Sequence, residues 1–291
     1  MATENGNGLN NTLGYGRKSY PTWADVLSIV GVFFVASIAV GFVVNSLLKS
    51  SGGFPLFLSY TLSFVIVIVY ALLLKKYRTG SFDQVLAMSF KGFNPRIILW
   101  GIILMAAVSV VIEPLIDLFP SQYLERLAEK LNNGGWAMLT SLIAAPLFEE
   151  MLFRGIIQEG LSRKYGSAMG ITVAAFIFGI VHIIPQQVVA ATVLGFILGY
   201  IYYRTHSLIP VIILHALNNA FAHFSILFTD DITMTTREMI GSDKIYYMVY
   251  GACVVIVILS SLKILSNLRG GKQPPSVSDE NPEITKDGTA G

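Results

Sequence analysis

Residues 136–160 read WAMLTSLIAAPLFEEMLFRGIIQEG, an apolar run long enough to cross a bilayer that nevertheless contains three acids and a base. A hydrocarbon core of about 30 Å takes roughly 20 helical residues. A charged side chain within such a span costs about 2.5 to 3.5 kcal/mol on insertion scales, so each one needs a partner, a water-filled cavity or a role. The run is therefore a candidate functional helix because of Glu149, Glu150 and Arg154.

The composition of the whole chain is that of a membrane protein. Of its 291 residues, 54% are hydrophobic and 13% are charged, whereas a soluble domain has about 25% charged residues. The mean hydropathy is +0.63. These values argue against a cytoplasmic globular enzyme, and a net charge of only +2 argues against nucleic acid as a partner. With Cys253 as the single cysteine, neither an intrachain disulfide nor a cysteine-built metal site can form.

Eight apolar runs predict an all-α, polytopic integral membrane protein with about eight transmembrane helices. They lie at residues 24–48, 54–74, 97–118, 136–160, 167–184, 187–203, 208–228 and 245–265. The fifth and sixth runs, with Pro185 between them, are expected to form either a tight hairpin or a broken helix. Residues 1–22 and 267–291 are predicted to be a polar N-terminal tail and a disordered C-terminal tail around a transmembrane domain at 23–266.

The distribution of Lys and Arg predicts the orientation of these helices. If the N-terminus lies inside, the inner connections and tails hold 14 of the 20 basic residues, the outer ones hold 5, and Arg154 lies within a span. We therefore expect a multi-pass cell membrane protein with both termini in the cytoplasm.

Helical spacing indicates which polar residues of the spans lie on the same helix face. Glu150 and Arg154 are four residues apart, which predicts an ion pair on one helix face, while Glu149 points about 100° away from Glu150. The fifth run contains His182. In the seventh run one face holds His215, Asn219 and His223, each one turn from the next.

These residue types can hydrolyse a peptide bond without a nucleophilic side chain. A carboxylate desolvated by the bilayer can take a proton from water near neutral pH. A histidine beside it can hold that water, and a second histidine and an amide can donate to the developing oxyanion. The sequence contains no Gly-x-Ser-x-Gly and no His-Glu-x-x-His motif, so serine and thermolysin-type zinc mechanisms lack support.

Three motifs in chain order resemble the signature of the CPBP intramembrane proteases. They are Glu149-Glu150-x-x-x-Arg154, Phe178-x-x-x-His182 and His215-x-x-x-Asn219. This group contains the CAAX prenyl endopeptidases of the Rce1 type and the bacteriocin-processing and self-immunity proteins of the Abi family. The resemblance covers residues 136–228, about a third of the chain, and includes the approach to the third motif at 195–219.

The resemblance implies a role for each motif residue. Glu149 would be the general base and His182 would position the water, while His215 and Asn219 would stabilise the oxyanion. Glu150, Arg154 and Phe178 would support the site, with Phe178 packed at its floor. No metal is assigned, but zinc is possible, in which case Glu149, His182 and His215 would be the ligands. His223 is expected to pack rather than to act in the chemistry, and Glu113 receives no role.

The sequence therefore favours an intramembrane endopeptidase that acts on a membrane-associated peptide or lipidated protein. The resemblance suggests a prenylated CAAX-type C-terminus, a leader peptide or a bacteriocin-like peptide as the substrate. Two alternatives remain: a transporter whose buried Glu and His relay protons, and a non-catalytic immunity or scaffold protein of the membrane.

Overall fold

The computed structural model describes residues 20–48, 53–82, 86–90, 94–123, 125, 134–228 and 234–268. The described part of the chain is helical and contains no β-strand. The long helices are α1 (Trp23–Leu48), α2 (Phe54–Thr79), α3 (Pro95–Ile116), α4 (Gly135–Tyr165), α5 (Ser167–Ile180), α6 (Pro185–Thr205), α7 (Leu208–Phe228) and α9 (Asp243–Leu268), and a short helix α8 (Thr236–Ile240) precedes α9. The expected all-α polytopic fold is confirmed. The expected tails lie almost entirely outside the described residues.

Local sequence signals explain where several helices begin and end. At the start of α1, Thr22 and Asp25 form reciprocal side-chain to backbone hydrogen bonds, as in a capping box. Proline occupies the first turn of α2, α3 and α6, where its missing N–H costs nothing. Gly80, after α2, adopts the left-handed conformation with φ of 78°, which favours glycine.

In the part of the chain that the structure describes, six helices are long and apolar enough to cross a membrane, namely α1, α2, α3, α4, α6 and α9. The part of α7 with described side chains (Leu208–Phe224) and α5 are apolar but shorter. The prediction of a full span over residues 167–184 is therefore wrong, because α5 has 14 residues and ends at Ile180. A hairpin joins α5 to α6, and Ile183 in its turn has a positive φ of 67°.

Helix α4 lies at the centre of the bundle. Half of its most apolar stretch is buried within the protein, against 17% for α1 and 11% for α9. It packs against α2, α5 and α7, whereas α1 packs on α2, α9 packs on α3, and α5 packs on α6. The polar residues of α4 are thus surrounded by protein rather than lipid.

Candidate active site

The ion pair predicted from spacing is present in the middle of α4. Arg154 Nη1 lies 2.9 Å from Glu150 Oε1, and the two side chains are 1% and 0% exposed. The guanidinium also lies 4.4 Å from the centroid of the Phe178 ring and donates to the Gly195 carbonyl at 3.4 Å. The pair is therefore fully desolvated and fixed by two further helices.

Two π-helical segments interrupt α4 on either side of the two glutamates. Thr140–Ala144 forms the first and Met151–Gln158 the second, and π segments within helices occur frequently at functional sites. Asn219 on α7 donates from Nδ2 to the carbonyl of Ser141 in the first segment at 2.9 Å. Because Nδ2 carries two hydrogens, Asn219 retains one N–H for another acceptor.

His215 on α7 lies between the two acids. Its Nδ1 is 2.8 Å from Glu150 Oε1, and because a carboxylate only accepts, Nδ1 carries the proton. Its Nε2 is 3.7 Å from Glu149 Oε2, slightly beyond hydrogen-bonding distance. Glu150 thus holds both Arg154 and His215, a contact between helices that spacing within one helix did not predict.

His182 follows the end of α5, at the same depth as Glu149. At 1.5 Å per residue, Glu149 and His182 both lie roughly 20 to 25 Å from the turn at Gly166 that joins α4 to α5. His182 Nδ1 is 2.7 Å from the Phe178 carbonyl, so it carries the proton and neutral His182 has its lone pair on Nε2.

Phe178 is fully buried and packs beside both imidazoles. Its ring centroid lies 5.1 Å from that of His182 and 5.7 Å from that of His215, both nearly perpendicular. Phe178 therefore contacts the imidazoles of both His182 and His215.

Tyr60 on α2 is a site residue that the sequence did not reveal. Its hydroxyl donates to Glu149 Oε1 at 2.5 Å. A tyrosine in an apolar helix is unremarkable, and 89 residues separate the two partners, so no local pattern could have indicated the contact.

One cavity connects these residues. Its volume is about 470 Å³, and it is lined by residues of α2 to α7, among them Tyr60, Glu149, Phe178, His182, His215 and Asn219. Apolar side chains of α3 and α6 form much of its remaining wall, including Met105, Val108, Ile112, Leu194 and Ile197. Several of the polar residues singled out from the sequence and a large apolar surface therefore line the same cavity.

The residues as placed do not form a zinc site. Among the described residues, no three His, Cys, Asp or Glu side chains lie close enough together to hold a metal ion.

Glu113 and His223 do not line this cavity. The Glu113 carboxylate on α3 accepts a hydrogen bond from the backbone N–H of Thr236 at the start of α8. His223 is buried and is absent from the residues that line the cavity.

Fold and site together define a polytopic α-helical membrane protein in which Glu149, His182, His215 and Asn219 face a common cavity. Residues 131–221 match the family model described as Type II CAAX prenyl endopeptidase Rce1-like. The family recognition made from the three motifs, that of the CPBP intramembrane proteases, is thereby confirmed for the part of the chain that carries them.

A curated relative agrees with this match. The chain is 32% identical over 84 residues to a Bacillus subtilis (strain 168) protein named "Putative membrane peptidase YdiL", and these residues are 29% of this chain and 34% of that protein. The chain thus spans about a third of the length of the relative that it matches. No solved structure matches the chain.

Proposed function

We propose that the protein is an intramembrane endopeptidase that hydrolyses a peptide bond of a membrane-associated substrate. The observation that carries the proposal is the convergence of Glu149, His182, His215 and Asn219 on one cavity within the helical bundle. The match to an endopeptidase family over the same residues supports it.

In the proposed reaction, Glu149 is the general base and His182 orients the water. The Nε2 lone pair of His182 accepts a hydrogen bond from the water while Glu149 takes the other water proton. The water oxygen then bonds to the peptide carbonyl carbon, and the carbonyl π electrons move to its oxygen. When the C–N bond breaks, Glu149 returns the proton to the leaving nitrogen, so the base is regenerated.

The oxyanion of the tetrahedral intermediate is assigned to His215 and Asn219. Since Nδ1 of His215 is bonded to Glu150, only Nε2 can face the substrate. Donation from Nε2 requires the imidazolium, whose charge the carboxylates of Glu149 and Glu150 would balance. Asn219 supplies its second Nδ2 hydrogen, and donors fixed before the reaction are the most effective stabilisers of such a charge.

The apolar wall of the cavity supports a substrate with an apolar or lipidated segment next to the cleaved bond. A prenylated CAAX-type C-terminus, a leader peptide and a bacteriocin-like peptide all fit this description. The cellular location belongs to the same proposal: a multi-pass cell membrane protein with both termini in the cytoplasm.

Cleavage by purified protein in detergent tests the proposal. We expect wild type to cleave one of these peptide classes, detected by mass spectrometry. Glu149→Gln, His182→Ala and His215→Ala should each lower the rate by about 100-fold or more, because each removes a positioned proton acceptor or donor. The control is His206→Asn, which changes a histidine in the connection after α6 and should cleave at the wild-type rate.

The same preparation separates the alternatives. Retained cleavage in Glu149→Gln would remove the general-base assignment. Bound zinc together with loss of cleavage on chelation would replace the metal-free mechanism by the zinc alternative. If no peptide is cleaved and Glu149→Gln keeps its cellular effect, a non-catalytic scaffold role would replace the endopeptidase.

A further inference from the structure

Tyr60 on α2, a helix that contains none of the three motifs, contacts the Glu149 carboxylate. In the described part of the chain, its Oε1 accepts from the Tyr60 hydroxyl at 2.5 Å, while its Oε2 is buried and has no hydrogen-bond partner. An O–H donor to an ionised carboxylate makes a short, charge-assisted hydrogen bond that is stronger than a neutral one. Tyr60 is therefore the group that fixes the orientation of this carboxylate.

The Tyr60 ring is itself fixed by packing. Its centroid lies 4.8 Å from that of Phe64, which is buried. Phe64 in turn stacks at 6.3 Å on Phe148, the residue before Glu149. The donor and the acceptor are thus attached to the same aromatic cluster between α2 and α4, so the hydroxyl has little freedom to leave Glu149.

Without this donor, no hydrogen bond in the described part of the chain would hold the Glu149 carboxylate against the attraction of Arg154 and of a protonated His215. Its Oε2 faces His215 Nε2 at 3.7 Å, and His215 leads to the Glu150–Arg154 pair. Attraction between such groups is strong where water is excluded. A carboxylate that turned into this cluster would no longer face a water in the cavity.

We propose that Tyr60 is a positioning residue that holds Glu149 in the orientation in which it takes the proton from water. This inference rests on the proposed function and assigns a role to α2, which contains none of the three motifs. Because Tyr60 acts through Glu149, its loss should slow the chemical step without weakening substrate binding. Removal of a partner that orients a metal ligand costs about 10- to 100-fold in activity, and we expect a loss of the same order for the partner of this carboxylate.

The test compares two hydroxyl deletions on the same helix. Tyr60→Phe should lower kcat by about 10- to 100-fold and leave KM within about twofold, since uniform binding is unchanged. Tyr70→Phe is the control, because the Tyr70 hydroxyl bonds to Ser28 on α1 at 3.0 Å and lies outside the cavity. It should keep the wild-type kcat. In a Glu149→Gln background, Tyr60→Phe should cause no further loss of the residual rate.

A second readout does not depend on activity. Unfolding temperatures in detergent for wild type, Tyr60→Phe, Glu149→Gln and the double variant should be non-additive, because the two groups share one hydrogen bond. Wild-type kcat in Tyr60→Phe, or an equal loss in the Glu149→Gln background, would overturn the positioning role. Additive unfolding temperatures would overturn the contact itself. If wild type cleaves no peptide, the proposed function fails, and the unfolding measurements still decide the contact.

Discussion

At the scale of single residues, the neighbours of the two adjacent glutamates distinguish them. Glu150 is fully buried and accepts from Arg154 and His215 through one oxygen, so its charge is balanced and its position is fixed. Glu149 faces the cavity and has a neutral tyrosine as its donor. Two chemically identical side chains thus have different surroundings, and of the two only Glu149 lines the cavity.

Loss of the buried Glu150–Arg154 pair should lower the free energy of unfolding more than loss of an exposed pair with the same spacing on the same helix. Arg154→Leu leaves Glu150 as a buried charge without its strong cation, which typically costs about 3 to 5 kcal/mol. The matched control is Arg163→Leu, whose pair with Glu159 is 50% and 17% exposed and should contribute at most about 1 kcal/mol. Denaturation by SDS titration in mixed micelles measures both.

Equal stability losses in the two arginine variants would contradict the assignment of Arg154 to a desolvated pair. A restored stability in Glu150→Gln/Arg154→Leu would support it, because removing both charges also removes the unpaired one. Because Arg154 is buried and Arg163 is half exposed, the double variant, rather than the Arg163 control, separates lost packing from the unpaired charge.

The sequence predicted those contacts whose partners share a helix. Glu150 and Arg154 are one turn apart, and helical geometry places them together even through the π segment. The contacts of Tyr60 with Glu149, His215 with Glu150 and Asn219 with Ser141 join residues 65 to 89 positions apart. Such contacts depend on how the helices pack, so hydropathy and spacing could not predict them.

At the scale of the helices, the apolar runs predicted where most helices lie but not how deep each one extends. The fourth run is one continuous helix, Gly135–Tyr165, as its apolar composition indicates. The fifth run is equally apolar, yet α5 stops at Ile180. Its end is set by the left-handed residue Ile183 and by Pro185 at the start of α6. An apolar run indicates apolar surroundings, but it cannot distinguish lipid from protein core because both are apolar.

Gly195 on α6 allows α5 and α6 to pack closely. Adding a single methyl group at this position should therefore disturb the packing of the two helices. A Cβ on Gly195 would lie 2.9 Å from Ala175 Cα and 3.2 Å from its carbonyl oxygen, so Gly195→Ala must push the two helices apart. We expect a loss of about 1 to 3 kcal/mol from overpacking and reduced cleavage, because Arg154 also donates to the Gly195 carbonyl.

The matched control is Gly251→Ala on α9, where a Cβ would meet nothing within 4 Å. Since alanine favours a helix over glycine by about 1 kcal/mol, this variant should be as stable as wild type or slightly more stable. Thermal unfolding in detergent compares the two. A Gly195→Ala protein that matches Gly251→Ala would show that α5 and α6 tolerate a wider separation.

At the scale of the whole molecule, contacts between connections sort the helix ends into two groups. On one side, Arg78 at the end of α2 pairs with Asp25 at the start of α1, Ser207 before α7 bonds to Ser89, and Arg204 at the end of α6 donates to the carbonyl of Leu268. On the other side, Glu113 of α3 accepts from Thr236 of α8. The first group holds most of the described basic residues, which favours the cytoplasm for that side.

Single-cysteine labelling in intact cells tests this orientation. In a Cys253→Ser background, Tyr77→Cys places a thiol near the end of α2 and Met239→Cys places one on α8, at positions where the native side chains are 84% and 60% exposed. A membrane-impermeant maleimide should label Met239→Cys in intact cells, and Tyr77→Cys only after permeabilisation, because the two positions belong to opposite groups. Cys253→Ser alone should remain unlabelled. The reverse pattern would place both termini outside the cytoplasm and would contradict the orientation that the basic residues predict.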